Sequence, residues 1–123
     1  MEKKIIGKAP RGLPFSLGVL VGDTAYLSGA IGFDESKNTL VEGGIEAETR
    51  RAIEILKSVL EQAEMDLQHV VKVTAYLANM NDFEKFNRIY GDYFSVHRPA
   101  RETVAVSGLA LGARIELSLI AVR

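Results

Sequence analysis

Two stretches of this chain have a helical period, but more strands than two helices can cover carry apolar residues on both faces. The longer helical pattern spans 45–64, where Ile45, Thr49, Ala52, Ile53, Leu56, Leu60 and Ala63 recur at 3.6-residue spacing. The second spans 83–94, with Phe83, Phe86, Tyr90 and Phe94 as its stripe. Against these stand Val19-Leu20-Val21, Val104-Ala105-Val106, and a final strand that sets Leu117 and Leu119 against Ile120 and Val122. Helices on one side of a sheet leave the other side bare. The pattern therefore predicts an α+β sheet whose second face is buried by another copy of the chain.

In order, residues 2–6 form a short edge strand and Ala9-Pro10-Arg11-Gly12-Leu13-Pro14 a loop. Gly22-Asp23 joins two β-rich runs as a tight hairpin. The second run ends at Ser28-Gly29-Ala30-Ile31-Gly32, where glycine lets a backbone amide approach another group. Residues 34–44 read as a surface loop, and Glu46 and Arg50 as an i,i+4 pair on the solvated side of the first helix. Val71, Val73, Ala75 and Leu77 share one face of a strand, and Asn81-Asp82 caps the second helix. Strands at 102–107 and 114–122 complete a β-β-β-α-β-α-β-β order, one domain over 1–123.

Composition excludes several chemistries. There is no cysteine, hence no disulfide, thiolate nucleophile or Cys-ligated zinc. His69 and His97 are far apart, and no spacing motif joins them, so no metal site is expected. Fifteen Lys and Arg against 16 Asp and Glu give a net charge of −1, without the basic field that holds nucleic acid. The N-terminus lacks the apolar core of a signal peptide and no run is long enough to span a bilayer. A cytoplasmic protein without membrane partners is the expectation.

The residues with chemistry lie late in the chain. Arg101 follows Pro99-Ala100 at the mouth of an apolar strand. Its planar guanidinium either joins a surface or interface salt bridge or grips a small carboxylate bidentately. Glu116 shares a strand face with Ser118, Ile120 and Val122, and it is either paired with a cation or set to work as a base on water. The two charges, read as lying on neighbouring strands, could also be each other's partner. Alternation turns Glu102 away from Arg101. Phe15, Phe83 and Asn87 are either pocket walls or core.

Pro99-Ala100-Arg101, then Ile115-Glu116-Leu117 and Ala121-Val122, resemble the RidA/YjgF family, also labelled the L-PSP endoribonuclease or translation-inhibitor family. Leu27-Ser28-Gly29, Val70-Val71-Lys72-Val73-Thr74, and Asn81-Asp82-Phe83 with Asn87 and Tyr90 extend the resemblance over nearly the whole chain. It implies a chorismate-mutase-like fold, a homotrimer with clefts between subunits, and cofactor-free hydrolysis of enamines and imines such as 2-aminoacrylate to 2-keto acids and ammonia. It also implies that Arg101 binds the substrate carboxylate, that Glu116 activates a water, and that backbone at Gly29 and Thr103 lines the pocket. Phe15, Phe83 and Asn87 would come from the neighbouring subunit.

The chain departs from the family pattern at four places. Phe15 stands for a tyrosine, Ala30 for a frequent glutamine, Glu102 for a small residue, and Thr103 for a cysteine. Two other functions compete: a regulatory protein that binds small carboxylates through Arg101 without needing Glu116, and an endoribonuclease or translation inhibitor, which the family label suggests and the acidic pI and absence of a basic, aromatic-rich stripe argue against.

Overall fold

The structure is a computed structural model that describes residues 1–123. Strands β1 (Lys3–Lys8), β2 (Ser16–Val21) and β3 (Thr24–Ala30) form an antiparallel meander. Its second turn is tight because Gly22 takes a φ of 59°, which a glycine adopts without a Cβ penalty, and Val21 then pairs with Thr24. Residues 34–44, read as a loop, contain part of a two-strand hairpin, β4 (Phe33–Asp34) with β5 (Thr39–Leu40). Helix α1 (Gly44–Gln62), strand β6 (Val70–Leu77), helix α2 (Phe83–Phe94), and strands β7 (Ala100–Ala105) and β8 (Ile115–Val122) follow.

The main sheet runs β1-β2-β3-β8-β6-β7. Strands β6 and β7 are parallel, as a helical crossover through α2 allows, and the other neighbours are antiparallel. Every residue assigned to the α1 stripe is buried, and Val59 joins it. The core lies between the two helices and one sheet face, where Leu20, Ala25, Leu27, Val73, Ala75, Leu117 and Leu119 point.

Local expectations fail where neighbours override spacing. A register shift between Val70 and Lys72 puts Val70 in the core and leaves Val71 48% exposed, so strict alternation misassigns that strand's first turn. Asn79, not Asn81 or Asp82, supplies the side-chain cap: its Oδ1 accepts from the Asn81 N–H at 2.9 Å, ahead of a 3-10 turn over Met80–Asp82. Arg50 reaches across to Asp92 on α2 at 3.4 Å rather than to Glu46.

The opposite sheet face has no cover. It carries Ile5, Val19, Tyr26 and Ile120 in one row, with Val122 and Val104 beside them. Ile5, Tyr26, Val104 and Val122 remain 40–52% exposed, so the apolar face inferred from the two-sided strands exists in the folded chain. No helix is long and apolar enough to cross a membrane.

Candidate active site

Arg101 lies inside β7, at the edge of the sheet, rather than ahead of it. It pairs with Val73, whose side chain is in the core, so Arg101 points to the helix side. There its guanidinium lies over the rings of Tyr90, Phe86 and Phe83, at 4.6, 5.1 and 5.8 Å from their centroids. The aromatic stripe of α2 is therefore both core and the platform for this cation. None of the ion pairs in the chain includes Arg101. Thr103 is two residues along on the same face, its hydroxyl buried and without a hydrogen-bond partner. Asn87, partly buried on α2, is one turn from both Phe83 and Tyr90.

Glu116 belongs to the other side of the sheet. It pairs with Tyr76, three residues beyond Val73 on β6, and an odd offset on a strand means the opposite face. Two strand spacings of about 4.8 Å and three residues of about 3.3 Å separate Arg101 from Glu116, so their Cα atoms stand roughly 14 Å apart. Strand β6 lies between β7 and β8. The two charges are thus neither on neighbouring strands nor partners within one chain.

Glu116 has its own neighbours. The β3–β8 register shifts between Leu27 and Ala30, and this bulge brings Gly29 against the Glu116 carboxylate. A Cβ at Gly29 would overlap that carboxylate, so the position requires glycine for space. The Ser28 hydroxyl donates to the Ser16 carbonyl at 2.6 Å, and Phe15, 47% exposed, precedes that residue. Gly29 and Glu116 thus make a second group, open to solvent at Gly29, and the Ser28 bond holds the start of β2 beside it. Phe83 belongs with Arg101 in the same chain, unlike the division the resemblance implied.

Glu102 turns away from Arg101 and pairs with Lys72 at 3.1 Å. The carboxylate beside the key arginine is therefore spent on the open face and does not compete for the guanidinium. Ala30, in the place of a frequent glutamine, is buried towards the helices.

Sequence reasoning missed Glu48, whose side chain is completely buried on α1. It accepts from the Arg114 backbone N–H at 2.8 Å and from the Arg114 guanidinium at 2.6 Å. Gly32 packs against the same residue, where a Cβ would fall 2.6 Å from the Glu48 Cα. One carboxylate thus ties down the start of β8, two residues before Glu116, next to the chain leaving β3. A charge at position 48 in an otherwise apolar and small helix face was the available signal.

Residues 7–123 match the family model described as Endoribonuclease L-PSP. The chain belongs to the RidA/YjgF family. It is 42% identical to the human 2-iminobutanoate/2-iminopropanoate deaminase, over 94% of this chain and 85% of that protein. A RutC family protein of Pyrococcus abyssi is 41% identical over 98% of both chains. The crystal structure of the YjgF gene product of E. coli superposes with a TM-score of 0.89 at 30% identity, covering 98% of each chain. RidA/YjgF relatives thus share the mixed α+β fold, and several carry an imine deaminase name.

Proposed function

We propose that this RidA/YjgF chain hydrolyses reactive 2-imino acids, of the 2-aminoacrylate and 2-iminopropionate kind, to 2-keto acids and ammonia. The observation that carries the reading is the Arg101 guanidinium, held on three aromatic rings with no carboxylate partner. A cation fixed in that way is prepared for an anion from outside the chain. The deaminase names of relatives near 42% identity supply the class of reaction.

The chemistry asks little of the protein. An imine carbon is already electrophilic, so binding its carboxylate and placing a water beside it does most of the work. Arg101 takes the carboxylate as a bidentate fork, with the Thr103 backbone and Asn87 beside it. The Glu116 carboxylate accepts a proton as water adds to the C=N carbon and passes it to the nitrogen, which takes the π electrons as its lone pair. In the carbinolamine so formed, Glu116 takes the hydroxyl proton as C=O forms and delivers it to the nitrogen, C–N breaks, and ammonia leaves. No covalent nucleophile or cofactor enters these steps.

Because Arg101 and Glu116 face opposite sides of one sheet, the complete site needs two copies of the chain. Residues 1–123 act as one RidA-like domain, and three such domains close over the bare sheet faces as a homotrimer. In that arrangement the Arg101, Phe83 and Asn87 group of one subunit meets Glu116, Gly29 and Phe15 of the next. Light scattering at low micromolar concentration gives about three times the 13.5 kDa chain mass; a stable monomer removes this arrangement.

The activity test adds protein to an amino-acid oxidase that generates imines and follows release of the keto acid. Wild type accelerates release, and Glu116→Gln slows that step by about 100-fold, the usual scale for losing a general base. Equal rates for the two proteins would remove Glu116 from the mechanism.

A further inference from the structure

Beside Arg101 lies an open pocket of about 270 Å³, bounded by Tyr90, Phe94, Ser95, Arg98 and Arg101, with Ser95 and Arg98 exposed at its rim. That is near the lower end of the roughly 300–1,000 Å³ of small-ligand sites, a size for a metabolite rather than a drug-sized molecule. Its polar side chains are nearly all donors. Arg98 uses its Nε–H on the Ser95 carbonyl at 3.1 Å and has no ion-pair partner for its terminal nitrogens. Tyr90 is 9% exposed, yet its hydroxyl has no hydrogen-bond partner. Buried phenols are normally bonded, and no protein group takes this one, which leaves it able to donate to a ligand. Burial pushes the Tyr90 pKa up to about 12 against the opposing pull of the Arg101 charge, so the phenol keeps its proton and can donate.

Two unpaired guanidinium groups and a donor hydroxyl, with no acid among the lining residues, suit a ligand with two negative ends. Arg98 and Arg101 are three residues apart, at most about 10 Å along the chain, close enough for two long side chains to converge on one small molecule. We propose that this pocket is a specificity subsite for a second carboxylate, and that the preferred substrates are imines of four- and five-carbon dicarboxylic amino acids. Arg101 holds the carboxylate next to the imine; Arg98 and the Tyr90 hydroxyl hold the distal one. The inference rests on the imine-hydrolysis reading for its reaction, but not for its binding.

The test compares imines made by oxidases from aspartate or glutamate with the imine made from alanine. Arg98→Ala lowers the ratio of kcat/KM for dicarboxylic over monocarboxylic imines at least tenfold, and Tyr90→Phe lowers it severalfold. Calorimetry shows wild type binding 2-oxoglutarate at least tenfold more tightly than pyruvate, a preference that Arg98→Ala abolishes. A ratio unmoved by Arg98→Ala, or equal affinities for the two keto acids, overturns the subsite. Selective binding of 2-oxoglutarate through Arg98 without turnover of any imine keeps the subsite and removes the deaminase reading instead.

Discussion

Arg101→Ala lowers kcat/KM for imine hydrolysis by about 100-fold and leaves the fold in place. The magnitude follows from losing a charge-assisted, bidentate contact, about 3 kcal/mol, at about 1.4 kcal/mol per factor of ten. The fold survives because Arg101 contributes to it through ring contacts alone, worth about 1 kcal/mol at a partly exposed site. A thermal melt that barely moves beside a large kinetic loss separates the two roles. Arg101→Lys recovers part of the rate, since an ammonium keeps the charge but not the planar fork. If Arg101→Ala stays within about threefold of wild type, the guanidinium does not hold the substrate. The same variant separates turnover from sequestration. A protein that only binds small carboxylates loses its affinity with Arg101 yet is indifferent to Glu116, whereas the hydrolase needs both.

The fold was legible because its main signals are periodic and redundant. The α1 stripe needed no tertiary information: each residue assigned to it is buried. The bare apolar face followed from strands that are apolar on both sides, and Ile5, Tyr26, Val104 and Val122 now make it visible. Bulges were not legible. Nothing in Val70-Val71-Lys72 announces the shift that ejects Val71, and nothing in Ser28-Gly29-Ala30 beyond a glycine announces the one that seats Gly29 on Glu116.

The candidate residues could be named from the sequence, but not their arrangement. Arg101 and Glu116 can be picked out by type and neighbourhood, but their relation depends on strand order. Inserting β6 between β7 and β8 is a property of the whole sheet, invisible at the level of a motif. Two charges read as lying on neighbouring strands, where they could have been partners, are placed two strands apart on opposite faces of the sheet. Glu102 shows the reverse case: alternation alone turns it from Arg101, and the Lys72 pair is consistent with that turn.

Arg114→Met destabilises the chain by about 3 kcal/mol, lowering the melting temperature by roughly 10 °C, although the Arg114 side chain is 53% exposed. Exposure would rank it with Arg50, whose pair with Asp92 lies between side chains 52% and 58% exposed and is worth under about 1 kcal/mol. The difference is the partner. The Glu48 side chain has no exposed surface, and removing the guanidinium leaves it buried with one backbone N–H as its remaining donor. An uncompensated buried carboxylate is the costly product of that mutation, not the lost contact itself. Adding Glu48→Gln to Arg114→Met therefore recovers most of the loss, because the amide can still accept the N–H of residue 114 and carries no charge. Strictly additive losses in that double mutant, by chemical denaturation, would mean that Arg114 acts through packing alone.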